Sequence, residues 1–186
     1  MSNRLVILDR DGVINHDSVE YIKSADEWLA IDGSAEAVGR LTRAGFTVVV
    51  ATNQSGLGRR LFDADALNGI HEKMGDLIGS YGGSIDQIVF CPHLPDDGCD
   101  CRKPRSGMLR QLAENYDLAL EGVPVVGDSL RDIDAASEVN ARPILVLTGN
   151  GRVTASALDA AGRHVEAFAD LADVATALIA EDGALL

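Results

Sequence analysis

The run Leu5-Val6-Ile7-Leu8-Asp9-Arg10-Asp11-Gly12 constrains this chain more than any other stretch. Four consecutive apolar residues read as a buried strand, since the run is too short and too β-branched for a core helix. Asp9 and Asp11 follow at i and i+2, which on extended backbone puts both carboxylates on one face where the strand ends. Gly12 supplies the turn that leaves it. In an open parallel sheet, the carboxyl ends of the strands are where ligands bind. Two acids held there repel each other unless a cation joins them or one keeps its proton. The pair suits one carboxylate as nucleophile and its neighbour as acid/base, with an oxygen-seeking cation such as Mg2+ between them. Taken alone, D-x-D-G is equally a surface turn.

Strand-like and helix-like segments alternate through the rest of the chain. Irregular loop is expected over 12–33. Ser34 is placed to cap a helix running to about Ala44, stopped by Gly45. A strand follows at 46–51. Asp63 then caps a longer helix carrying Leu67, Ile70, Met74, Leu77 and Ile78 at helical spacing. Further strands are expected at 85–90, 123–126 and 143–147. Helices are expected around Met108 to Tyr116, from about Arg131, and near 153–162 and 169–180, with an extended piece at 164–168. This β-α-β-α order predicts an α/β fold with a doubly wound parallel sheet of Rossmann type. One domain spanning 1–186 is expected. The net charge of -13 with no basic run argues against a nucleic-acid partner. No apolar run is long enough to cross a bilayer. Met1-Ser2-Asn3-Arg4 leads straight into the first strand without a signal-type segment, so a cytoplasmic monomer is expected.

The polar motifs all follow strands, so a parallel sheet gathers them on one edge. Thr52-Asn53-Gln54-Ser55 ends the second strand, and Thr52 and Asn53 offer a hydroxyl, an amide and backbone N–H groups suited to phosphoryl oxygens. Lys103 offers a compact positive charge for a phosphoryl group in transfer. Asp128, ending the fourth strand in Gly127-Asp128-Ser129, is a third carboxylate able to complete a Mg2+ site with Asp9. Each piece alone fits a plain turn or helix cap; four in this order, each at a strand end, point to phosphate chemistry.

All three cysteines lie within Cys91–Cys101, where Cys91, His93, Cys99 and Cys101 form C-x-H-x5-C-x-C. Three thiolates and an imidazole match a tetrahedral structural Zn2+, with no position left for water. Such an ion would fix a polar, proline-rich loop so that Arg102 and Lys103 point into the site. His16, His71 and His164 have no ligand spacing, and Trp28 reads as a packing residue.

On Asp9-Arg10-Asp11-Gly12, Thr52-Asn53-Gln54, Lys103-Pro104 and Gly127-Asp128-Ser129 with Asp132, residues 5–148 resemble the haloacid dehalogenase (HAD) superfamily of phosphatases. The resemblance implies that Asp9 forms an aspartyl-phosphate, and that Asp11 protonates the leaving oxygen and then activates water. It implies that Thr52 and Lys103 hold the phosphoryl group. Mg2+ would sit on Asp9, on Asp128 and on the backbone carbonyl of Asp11. Asp132 would assist the metal or hold Lys103. Only 40 residues separate Asp11 from Thr52, and the stretch from Ser55 to Lys103 holds a helix, a strand and the cysteine loop, so the fold is expected to be capless.

Within the superfamily, Cys91-Pro92-His93 and Cys99-Asp100-Cys101-Arg102-Lys103-Pro104 are similar to two branches. One acts on a heptose 1,7-bisphosphate of lipopolysaccharide core synthesis, the other on histidinol phosphate. Asp9 to Asn15, Thr52 to Gly56, Gly107-Met108-Leu109 and the fourth motif favour the heptose branch. A second phosphate asks for another cation, for which Arg102 is the candidate. Arg59 and Arg60 are further candidates, and Asn15, Asp17 and Tyr21 are placed to touch the sugar. The resemblance thus implies a small sugar phosphate as substrate. In a different class stands a binding module that kept the fold without catalysis.

Overall fold

A computed structural model describes residues 4–183. Strand β1 (Leu5–Leu8) lies between β2 (Thr47–Asn53) and β4 (Pro124–Gly127). β3 (Gln87–Cys91) extends the sheet beyond β2, while β5 (Arg142–Val146) and β6 (Glu166–Phe168) extend it beyond β4. All five pairings are parallel. The chain builds outward from β1 to β3, then crosses back to place β4 on the other side of β1. That reversal leaves a crevice at the carboxyl ends of β1 and β4, the topological switch point of a doubly wound sheet.

The apolar spelling of β1 follows from burial on both faces. Val6 and Leu8 pack with Val48 and Val50 under Val38 and Leu41 of α1 (Ser34–Arg43), Ile70, Met74 and Ile78 of α3 (Ala64–Ser80), and Val174 and Leu178 of α7 (Leu171–Gly183). Leu5 and Ile7 point the other way. They pack with Val49 and Ala51 against Met108, Leu109 and Leu112 of α4 (Gly107–Asn115) and Ala135 and Ala136 of α5 (Leu130–Glu138). Leu158 of α6 (Gly151–Ala160) closes a smaller cluster with Ile133 and Leu145. A period-2 strand between two helical layers has no polar side to show, which is why the run contains no polar residue.

Several local expectations change. Ser34 does not cap α1: Gly33, in the left-handed region at φ 80°, takes the N-cap position, and the Ser34 hydroxyl donates to the Ile14 carbonyl at 2.6 Å. Asp63 does cap α3, accepting from the Ala66 N–H at 2.9 Å. β2 runs on to Asn53, so Thr52 and Asn53 are strand residues, and a one-turn helix, α2 (Ser55–Gly58), follows them at once. The extended piece near 164–168 is the sixth strand. Trp28 is 1% exposed and packs in the core beside α3, as a packing residue should.

Between Asp11 and Thr52 the chain makes a loop, α1 and most of β2; between Ser55 and Lys103 it makes α2, α3, β3 and the cysteine loop. Neither interval inserts a cap, and the site edge of the sheet stays open. Among the described residues no helix is long and apolar enough to cross a membrane. The reading of Met1 to Asn3 lies outside the described residues.

Candidate active site

An open cleft of about 280 Å³ lies over the switch point, lined by Asp9, Asp11, Thr52, Asn53, Gln54, Ser55, Arg102, Lys103 and Asp128. The phosphate-binding residues of the four motifs thus line one cavity, although those motifs span more than 120 positions of sequence. Asp9 leaves β1 with its backbone N–H tied to Val126 of β4 at 2.9 Å. Gly12 then turns the chain at φ 81°, and a Cβ there would stand 2.1 Å from Asp128 Oδ2. Glycine is required at that position on both counts.

Lys103 organises the centre. It is 3% exposed, and its ammonium lies 3.0 Å from Asp9 Oδ1 and 2.5 Å from Asp132 Oδ1 while donating to the Ala51 carbonyl at 2.8 Å. Burial works against this charge, but Asp132 and Asp9 outweigh it and raise the Lys103 pKa. Asp132 is burdened by burial too, yet Lys103 and Ser129 hold its pKa below the ordinary value. It also completes a capping box with Ser129 at the start of α5, so one carboxylate both fixes the helix and anchors the lysine. Of the two roles weighed for Asp132, the geometry assigns it to Lys103.

Asp9 and Asp128 are less well compensated. Burial pushes the Asp9 pKa up to about 8; Lys103 opposes this, and Asp132, Asp11 and Asp128 add to it. Burial likewise raises Asp128 to about 6, against hydrogen bonds from Asn150. One carboxylate oxygen each of Asp9, Asp128 and Asp132 lies within 4.8 Å of the others. Such a set, short of positive charge and facing an open cleft, fits a divalent cation with oxygen ligands. The Asp11 side chain is not part of it. Its carboxylate accepts from Arg10, Asn15 and Gln54 instead.

Several neighbours do other work than the sequence suggested. The Asn53 amide exchanges two 3.1 Å hydrogen bonds with the Lys103 backbone, strapping the cysteine loop to β2. Gln54 Nε2 donates to both Thr52 Oγ1 and Asp11 Oδ2 at 2.9 Å. Asn15 is fully buried behind Asp11 and does not line the cleft, so it is not placed to touch a sugar. Asp17, Tyr21, Arg59 and Arg102 line the cleft, with Arg59 stacked 5.9 Å over the Tyr21 ring, whereas Arg60 does not. Arg131 lines it as well and was not foreseen. Nor was Asn150, whose backbone and side-chain N–H groups hold Asp128 Oδ2 at 2.7 and 3.2 Å. The Thr148-Gly149-Asn150 loop after β5 carried no signal beyond its position at a strand end.

In the cysteine loop, His93 Nδ1 stands 3.5 Å from Cys91 Sγ and 3.2 Å from Cys101 Sγ, and Cys91 and Cys99 sulfurs are 3.6 Å apart. Ligands about 2.0–2.3 Å from a tetrahedral zinc stand roughly 3.5–3.8 Å from one another. The four side chains fit that ion, and all three thiols are free of disulfides. Burial drives the Cys91 thiol up to about 12, reinforced by Cys101, so a bound metal would have to displace its proton.

Residues 100–174 match the family model described as HAD-hydrolase-like. The chain is 58% identical over 151 residues to the D-glycero-beta-D-manno-heptose-1,7-bisphosphate 7-phosphatase of Bordetella bronchiseptica, covering 81% of this chain and 84% of that one. It is 51% identical over 179 residues to the phosphatase of the same name from Pseudomonas aeruginosa, covering 96% and 99%. Among solved structures, the D,D-heptose 1,7-bisphosphate phosphatase of B. bronchiseptica, complexed with magnesium and phosphate, superposes with a TM-score of 0.91 at 54% identity, covering 96% of this chain and 99% of that one.

Proposed function

Because this chain belongs to the heptose-1,7-bisphosphate 7-phosphatase family of HAD-like hydrolases, we propose that it removes the 7-phosphate of D-glycero-D-manno-heptose 1,7-bisphosphate through an aspartyl-phosphate on Asp9. The observation that carries this reading is the meeting of Asp9, Asp11, Thr52, Lys103 and Asp128 in one open cleft at the switch point.

Asp9 attacks phosphorus, with Lys103 beside its Oδ1 to receive charge from the phosphoryl oxygens and Thr52 at the cleft wall to position them. Asp11 protonates the departing sugar oxygen and then takes a proton from the water that releases phosphate from Asp9. Asp9, Asp128 and the Asp11 carbonyl would hold Mg2+, which supplies charge neutralisation between nucleophile and phosphate. Cys91, His93, Cys99 and Cys101 would hold Zn2+, which would supply a structural crosslink for the loop that carries Arg102 and Lys103. Arg102, with Arg59 and Arg131 also lining the cleft, offers cations for the second phosphate. The protein would act as a cytoplasmic monomer in lipopolysaccharide core heptose synthesis.

Phosphate release with Mg2+ from heptose 1,7-bisphosphate and from histidinol phosphate, side by side, tests the assignment. A strong preference for the bisphosphate supports it. A preference for histidinol phosphate keeps the chemistry and moves the enzyme to histidine synthesis.

A further inference from the structure

Arg10, the residue between the two aspartates, is 1% exposed despite its charge. Every hydrogen bond its side chain makes among the described residues goes to Asp11. Nε and Nη2 donate to Asp11 Oδ1 at 3.0 and 2.9 Å, and Nη2 reaches Oδ2 at 3.1 Å. Its other nitrogen, Nη1, is buried with no partner among the described residues. Burying a guanidinium costs several kcal/mol unless its contacts return that energy, and here they all fall on one carboxylate. Asn15 Nδ2 adds a third donor to Oδ1 at 2.9 Å. Oδ2, by contrast, takes one shorter bond, from Gln54 at 2.9 Å, besides the 3.1 Å contact to Arg10. The two oxygens of Asp11 are therefore unequal.

We propose that Arg10 is a positioning residue for Asp11, locking Oδ1 so that Oδ2 is the oxygen that gives and takes the proton. The inference rests on the phosphatase reading and adds to it which residue aims the acid. In the first step an Asp9 oxygen bonds to phosphorus as the phosphorus–sugar oxygen bond breaks. The electron pair of that bond stays on the sugar oxygen, which takes the proton from Asp11 Oδ2. In the second step water bonds to phosphorus, its proton passes to Asp11 Oδ2, and the Asp9–phosphorus bond breaks with its electron pair returning to Asp9. A guanidinium has donors only and keeps its protons, so it can hold the locked oxygen through both steps without joining the transfer.

The test is the dependence on leaving group. kcat/KM reports only on steps through the transfer to Asp9. A sugar alkoxide needs the proton of Asp11 at that step, whereas a nitrophenolate leaves without one. Arg10→Lys keeps the charge and removes the planar fork. Its kcat/KM should fall about 30-fold or more on the heptose bisphosphate and less than about fivefold on p-nitrophenyl phosphate. An equal fall on both substrates, or no fall on either, overturns the proposal. Should Arg10→Lys not fold, Arg10→Gln is judged by the same ratio. If the wild-type enzyme leaves the heptose bisphosphate untouched, the substrate reading fails by itself. The comparison then runs on a simple alkyl phosphate, whose alkoxide makes the same demand on Asp11.

Discussion

Two clusters of side chains of metal-ligand type occur in this molecule and are built in opposite ways. Cys91, His93, Cys99 and Cys101 come from one loop of eleven residues, and among the described residues no ion pair reaches their side chains. Asp9, Asp128 and Asp132 come from the ends of β1 and β4 and the first turn of α5, over a packed sheet, with a buried lysine among them. The first set closes on itself at near-tetrahedral spacing, in a segment with little core of its own. The second already has a rigid frame and leaves a face toward the cleft. Thiolate and imidazole ligands from one loop suit an ion that holds structure, and carboxylates gathered from several strand ends beside an open cleft suit one that serves chemistry.

The largest effect should come from the open cluster's reacting atom. Asp9→Asn keeps the size of the side chain and removes the nucleophile, so turnover should drop by about 10⁴-fold or more with the circular dichroism spectrum unchanged. Turnover near the wild-type level would place the nucleophile elsewhere. Asp132→Asn asks instead what the buried lysine needs. Lys103 would lose its 2.5 Å partner, and breaking a buried pair costs about 3–5 kcal/mol. Urea unfolding should show that loss, and phosphate release should fall about 100-fold as Lys103 loses its place beside Asp9. Unchanged stability would mean that Asp9 alone suffices to hold the ammonium.

The closed cluster should answer more mildly. Chelating zinc under reducing conditions should lower activity about tenfold through misplacement of Lys103, with faster hydrogen exchange in 92–105 and little change in the central strands. Full activity in folded, zinc-free protein would detach the loop from the site. Asn53, which straps the Lys103 backbone to β2, is the residue that would then account for the lysine's placement.

What the sequence disclosed follows the same division. Strand ends are legible because apolar runs mark strands and a parallel sheet gathers their ends, which brings Asp9, Thr52 and Asp128 to one cleft, with Lys103 reached through the loop after β3. The Asp63 cap was legible because its partner, Ala66, is three residues away. Ser34 carried the same signal and proved misleading, because its hydroxyl is claimed by Ile14, 20 positions distant. Asn150 was missed because the carboxylate it holds is 22 residues upstream in another loop. Arg10 was an unremarked letter within D-x-D, since nothing local says which way a guanidinium folds. A cap between residues one turn apart is readable from spacing when both groups are free; partners supplied by crossovers, and the way a long side chain folds onto its neighbour, are not.

The smallest effect probes the charge imbalance of the open cluster directly. Burial raises the folded-state pKa of Asp128 from 3.8 to about 6, so the folded, metal-free protein binds a proton there more tightly than the unfolded chain does. For a group raised in this way, the stabilisation is complete below the unfolded pKa and is lost as pH rises through the folded one. Metal-free protein should lose roughly 1 kcal/mol from this residue between about pH 5 and about pH 7, or about 2–4 °C in Tm for a chain of this length. Asp9, raised to about 8, extends the loss in the same direction to higher pH. Mg2+ binds the carboxylate forms and so should restore Tm more at about pH 8 than at about pH 5. The cysteine cluster should show no such Mg2+ dependence, because thiolate and imidazole ligands favour softer ions. Thermal scans of zinc-loaded protein with and without Mg2+ across this range measure the difference. A Mg2+ effect independent of pH would mean that the cation does not bind where the acids are unpaired, and the contrast between the two clusters would lose its electrostatic half.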